Sequence, residues 1–170
     1  MYLKLILLSS TVFAIKMPSD TMCVSKFLCV SAQKAGSVAE IYVERTRPGH
    51  LGLGFGPGVK MGKGEFVLIE FTAANKMISK ECIMRGLVTP ICKPNHDWIV
   101  LEFEFNPGNK GWKALITRNL AISRMIPLTF FKNRMVFSYS DSLMMEAHRA
   151  KNAAYGKFDV HFNSIEIQRR

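Results

Sequence analysis

GHLGLGFGPGVKMGKGEFVLIEF, residues 49–71, is the stretch on which the reading of the whole chain turns. Leu51, Leu53 and Phe55 alternate with Gly52, Gly54 and Gly56, the period of a β-strand. Phe66-Val67-Leu68-Ile69-Glu70-Phe71 is a second run of strong β propensity. A glycine-rich turn carrying a single methionine, Met61, separates the two. Glycines inside a strand leave one of its faces without side chains, and something can then approach the backbone closely. A planar cofactor would use that room. The glycines do not follow the GxGxxG order of a dinucleotide site, and no Gly-Lys-Ser/Thr completes a phosphate loop.

Strand patterns continue on both sides. Phe27–Ala32 reads as an opening strand, and Val38–Arg45 alternates as a half-buried one. Met77–Met84, Trp98–Phe105, Trp112–Leu120, Met135–Ser140 and Gly156–Phe162 follow, with a firm turn at Asn106-Pro107-Gly108-Asn109. Residues 15–26 read as a polar lead-in, the region of Pro90, Pro94 and Asn95 as a loop, and Met125–Phe131 as an edge or loop because of Pro127. Asp141–Ala154 reads as a loop or a brief helix. Some nine short strands with turn signals between them and no long helix predict an all-β protein, an immunoglobulin-like antiparallel β-sandwich, with a barrel as the alternative.

The N-terminus has its own character. Lys4 precedes an apolar run from Leu5 to Phe13, and Val12 and Ala14 are small residues placed three and one before a cleavage point. Residues 1–14 therefore read as a secretory signal peptide, leaving 15–170 as one domain. Removing Lys4 with that segment lowers the net charge from +10 to +9. So basic a protein outside the cell favours acidic partners such as polysaccharide, membrane headgroups or an acidic redox protein. Its basic residues are scattered, which speaks against nucleic acid, and no apolar run is long enough to span a bilayer.

Four cysteines, Cys23, Cys29, Cys82 and Cys92, suit an oxidising compartment and two disulfides. The local pairing is Cys23–Cys29 with Cys82–Cys92, although three connectivities are open, and zinc-type CxxC spacing is absent. No GxSxG elbow occurs, and Glu102 and Glu104 alternate with Phe103 and Phe105 as a solvated face rather than a glycosidase pair. Of the histidines, His161 lies within a strand, His50 at a strand start and His96 in a loop, the last two reading as surface residues. His148 sits in Met144-Met145-Glu146-Ala147-His148-Arg149, shortly before Tyr155-Gly156.

The order of these motifs resembles the DOMON family, and within it the b-type cytochrome domain of fungal cellobiose dehydrogenases. Cys29-Val30-Ser31-Ala32 is similar to the family's opening YCVSA strand, and residues 49–56 to its GWxxxGFG strand. Met61 stands where the family places a methionine, before the strand Phe66–Phe71. Val136–Ser140, then His148, then Tyr155-Gly156-Lys157-Phe158-Asp159-Val160, is similar to its closing motif. In this chain His50-Leu51 stands in place of the family's tryptophan.

The resemblance implies a sandwich holding one haem b, with Met61 and His148 as axial ligands and Phe55, Phe66, Met145 and Tyr155 lining the porphyrin. A thioether and an imidazole fill both axial positions of the iron, which suits electron transfer and leaves no open site for oxygen. The implied partners are a flavin dehydrogenase or membrane cytochrome as redox partner protein, or an extracellular acceptor. Because some members of the family lack the ligands, the alternative is a non-haem module of the same fold that binds a sugar or other small molecule. A basic protein acting on anionic surfaces is a third class.

Overall fold

The computed structural model describes residues 14–55, 63–85, 90–94, 97–119, 133–143, 154–161 and 166–168. The apolar run of the expected signal peptide, residues 1–13, and the expected edge segment Met125–Phe131 lie outside the described residues. The strands are β1 (Met22–Ser25), β2 (Leu28–Ala35), β3 (Val38–Arg45), β4 (Leu51–Phe55), β5 (Lys63–Phe71) and β6 (Met77–Arg85). They continue as β7 (Ile91–Pro94), β8 (Trp98–Phe105), β9 (Trp112–Asn119), β10 (Asn133–Tyr139), β11 (Ala154–His161) and β12 (Glu166–Gln168). One sheet has five strands in the order β1-β2-β3-β9-β8, the other seven in the order β12-β11-β10-β4-β5-β6-β7. Neighbours pair antiparallel throughout, and the two sheets pack as the all-β sandwich expected.

The interior follows from strand parity. Leu28, Val30 and Ala32 of β2, Ala39, Ile41 and Val43 of β3, and Trp112, Ala114 and Ile116 of β9 face inward from the smaller sheet. Leu51, Leu53, Val67, Ile69, Phe71, Met135, Phe137 and Tyr139 meet them from the larger one. Phe71, Phe103 and Trp112 form an aromatic group whose ring centroids lie 5.6 to 6.2 Å apart, within the range where tilted rings attract.

Three strands fall where the sequence reads as lead-in, loop or nothing: β1, β7 and β12. All are short, and β7 and β12 are the edges of their sheet, where few side chains need a face to bury and where Pro94 lacks only an unused donor. Strand β8 matches its expected bounds but shifts register between Val100 and Glu102, so Leu101 and Glu102 both stay exposed while Val100 and Phe103 pack against the interior.

Both disulfides have the local pairing, Cys23–Cys29 and Cys82–Cys92. Each joins residues directly opposite in a hairpin, β1 to β2 and β6 to β7, and so ties an edge strand to its neighbour. Loops this short lose about 2–3 kcal/mol of unfolded-state entropy per bridge. Reduction should therefore lower the urea midpoint by an amount corresponding to about 2–3 kcal/mol for each bridge opened. An unchanged midpoint in reductant would contradict the role assigned to them.

Candidate cofactor-binding face

The glycine stretch becomes β4, and β4 lies inside the seven-stranded sheet between β10 and β5. Leu51 and Leu53 point into the sandwich. By parity Gly52 and Gly54 belong to the opposite, outer face. Register places Gly54 opposite Phe66 and Val136, and Gly52 opposite Leu68 and Ser138. The outer face is thus low in the middle, with no side chain on β4 and a serine beside it.

Residues on this face are nevertheless covered. Phe66 is 9% exposed, and Leu68 and Cys82 are buried with it in a small apolar cluster against Cys92. The Phe66 ring lies over Gly52, 3.6 Å from where a Cβ would stand. Glu70 continues the row of Phe66 and Leu68, is buried, and accepts a 2.6 Å hydrogen bond from Lys80 Nζ. A strand that is apolar on both faces explains the unbroken run Phe66-Val67-Leu68-Ile69. The sequence reading missed Leu68 and the Glu70–Lys80 pair as members of this face, although that unbroken run is their signal.

The two connections that carry the expected ligands leave from opposite ends of the same strands. Met61 lies between Phe55 and Lys63, at one end of β4 and β5. Met145 and His148 lie between Leu143 and Ala154, at the other end, since Tyr139 pairs with both Leu51 and Ala154. The length of β4, roughly 14 Å at strand rise, separates the two origins. Met61, Met145 and His148 themselves lie outside the described residues.

Of the expected lining residues, Phe66 is on the outer face. Tyr155 is on it too, opposite Ser138, but three strands from Phe66 and 66% exposed. Phe55 stands opposite Met135 and Glu65 in the backbone register. Register therefore brings Phe66 and Tyr155 to one face.

The start of the His148 connection is firmly held. His50, read as a surface residue, is instead 3% exposed. Its backbone N–H donates to Ser142 O at 2.8 Å, its Nδ1 lies 3.1 Å from the same carbonyl, and Ser140 Oγ is 3.3 Å from Nδ1. Phe71 N–H donates to Leu143 O at 2.9 Å. Arg45, fully inside, donates from Nη2 to Pro48 O at 2.8 Å and Ser140 O at 3.2 Å, sits 3.7 Å from Asp141, and lies over the Tyr139 ring. Burial pulls the Arg45 guanidinium down to about 10, offset in part by Tyr139 and Asp141. It stays charged at neutral pH. Trp112 Nε1–H donates to Gly49 O at 3.1 Å, closing the cluster from the other sheet.

Among the described residues no three His, Cys, Asp or Glu side chains come together as a metal-ligating group. All four cysteines are oxidised, which removes them as zinc ligands. No helix among the described residues is long and apolar enough to cross a membrane.

The fold defines a class, the antiparallel sandwich of one five-stranded and one seven-stranded sheet. It is similar to the cytochrome domain of cellobiose dehydrogenase from Myriococcum thermophilum, with a TM-score of 0.52 and 9% identity, over 80% of this chain and 74% of that one. At that identity the likeness is one of fold. No family model matches the chain, and no curated protein matches it.

Proposed function

We propose that the protein is a haem b electron-transfer module of the DOMON kind, with Met61 and His148 as axial ligands. The observation that carries the reading is the absence of side chains at Gly52 and Gly54 on the outer face of β4, beneath the Phe66 ring. The connection that contains Met61 and the connection that contains His148 leave from opposite ends of β4, and these two residues would hold the iron. Gly52 and Gly54 are buried, Gly52 beneath the Phe66 ring, so a flat apolar group would reach the backbone there in place of that ring, with Leu68 beside it. Such a group, when bound, exchanges one electron between its ferric and ferrous states. The chain's part is to hold both ligands, so that no coordination position remains for a substrate. His148 must be neutral to serve, so ligation weakens in acid as the imidazole takes up a proton. The implied traffic is from a reductase or small reductant to an extracellular acceptor, with the chain's excess of positive charge favouring an acidic partner.

An absorbance spectrum of the purified protein tests this. A reduced low-spin, six-coordinate haem spectrum is expected, and Met61→Ala and His148→Ala should each abolish it. A protein that is colourless after haem reconstitution would sink the reading in favour of a haem-free binding module on the same face. A low-spin spectrum that survives either substitution would remove that residue from the site.

A further inference from the structure

The other broad face of the molecule carries a feature unrelated to the glycine strip. The lead-in to β1 runs across the outer face of the five-stranded sheet. Ile15 N–H donates to Glu104 Oε2 on β8 at 3.0 Å, and the chain then reaches β1 at Met22 past Asp20, whose Oδ1 accepts from Ser31 Oγ on β2 at 3.0 Å. Strands β9 and β3 lie between those two contacts. The Ile15 side chain is 5% exposed, and Leu115 on the same outer face is buried as well. Ala14 and Lys16 on either side of Ile15 are exposed.

This face is acidic in a protein of net charge +10. By register Glu40 and Glu44 of β3 and Glu102 and Glu104 of β8 share it, with Lys113 of β9 set between Glu44 and Glu104. Burial first, then Glu40 and Glu102, push the Tyr42 hydroxyl above its ordinary value. Lys113 lies 3.8 Å from Glu44. A backbone amide offers the Glu104 carboxylate only a neutral donor. An ammonium at the same position would offer a full charge.

We propose that the chain is cut between Ala14 and Ile15, and that the α-ammonium so created pairs with Glu104, pinning the lead-in across the acidic face. The proposal rests on the reading of residues 1–14 as a signal peptide, and it gives that cut a structural consequence. A signal peptidase adds one water across the Ala14–Ile15 amide. The C–N bond breaks, the hydroxyl goes to the Ala14 carbonyl carbon, and the leaving peptide ends as a carboxylate. The Ile15 nitrogen keeps the two hydrogens it then has and takes the proton released by that acid, becoming –NH3+. The new cation contacts Glu104 of β8, and the charged groups that share this face by register are Glu102 of β8, Lys113 of β9 and Glu44 of β3, with Lys16 next in the cation's own segment. The contact to Glu104 is direct, so the carboxylate governs. A pairing of this kind raises the α-amino group above its ordinary range of about 7.7–8.0. The stability it contributes is complete below that range and is lost as pH rises through the raised value.

The full chain, expressed through the secretory route of a eukaryotic host, gives the first test. Terminal sequencing and intact mass should show Ile15 as the first residue, and an uncut chain or any other start overturns the proposal. The second test follows the reactivity of the α-amine with an acylating reagent against pH, read by mass spectrometry of the terminal peptide. The midpoint should lie about one unit above the ordinary value and return to it in Glu104→Gln. An ordinary midpoint in the native protein, or a raised one that survives Glu104→Gln, overturns the pairing. Neither readout involves a cofactor, so failure here is separate from failure of the electron-transfer reading.

Discussion

Gly49→Ala should destabilise the protein by about 3 kcal/mol or more. Gly49 has φ +110, a conformation side chains rarely adopt. A Cβ built there would meet the Ser140 carbonyl oxygen and would stand 2.8 Å from Asp141 Cα. These are backbone atoms of a segment held from four sides, so they cannot yield as the tip of a flexible side chain would. The substitution must push residues 140–143 away from β4 and break the paired contacts of His50 with Ser142. Since that segment leads into the connection bearing His148, the electron-transfer reading proposed above adds that loss of haem affinity should accompany the loss of stability. Gly52→Ala is the control three residues on. Its added Cβ would find Phe66 and Ser138 at 3.6 to 3.8 Å, an ordinary contact, and should change stability by less than about 1 kcal/mol. Urea unfolding of the two variants checks the contrast; equal midpoints would contradict it.

Arg45→Ala should cost about 3–5 kcal/mol, whereas Arg45→Met should cost markedly less. Two effects oppose each other. Arg45 is buried and, among the described residues, its Nε and Nη1 have no hydrogen-bond partner, so its charge is poorly solvated. That is why burial lowers it to about 10. On the other side, its Nη2 serves the Pro48 and Ser140 carbonyls, and its plane packs on Tyr139. Alanine forfeits the contacts and leaves a cavity. Methionine keeps the stem's volume and removes the poorly solvated charge, losing only the donors. Asp141 is not stranded in either variant, because Arg47 still pairs with it at 3.2 Å. The sign of the pH effect follows from the direction of the shift. A cation whose folded value is below its unfolded value bears its full burial cost at every pH under about 10, and that cost eases only above it. Measured by urea unfolding between about pH 6 and 9, the difference between native protein and Arg45→Met should therefore be flat. A slope in that window would assign the titration to another group.

Much of the sandwich was legible because strand parity is written in side chains. Val38–Arg45 and Trp98–Phe105 have the expected bounds, and the cysteine pairing follows from closeness in sequence. Short edge strands such as β7 bury too little to leave a pattern. The bulge in β8 is invisible because Leu101 is as apolar as the residues that face inward. The candidate site divides in the same way. The period of Gly52 and Gly54 announces a face without side chains, but not that the Phe66 ring covers Gly52, which depends on the pairing of β4 with β5. His50 misled because burial of a lone histidine depends on partners 90 and 92 residues away, Ser140 and Ser142. Met61, Met145 and His148 rest on resemblance, since a single ligand in a loop leaves no periodic trace.

The placement of β4 and β3 also sets the order in which the chain can assemble. Strand β4 pairs with β5 just after it, but its other neighbour is β10, with Leu51 opposite Tyr139. Strand β3 likewise waits for β9, with Val43 opposite Ala114. During synthesis the hairpins β1-β2-β3 and β4-β5-β6-β7 are complete long before either late partner leaves the ribosome. Each nascent sheet therefore presents a long unpaired edge, and one of the two is the glycine strand. Closure waits on contacts distant in sequence, which places refolding in the millisecond-to-second range of high-contact-order β proteins. The same delay makes the half-built sheets the species most open to edge-to-edge association before the chain is whole.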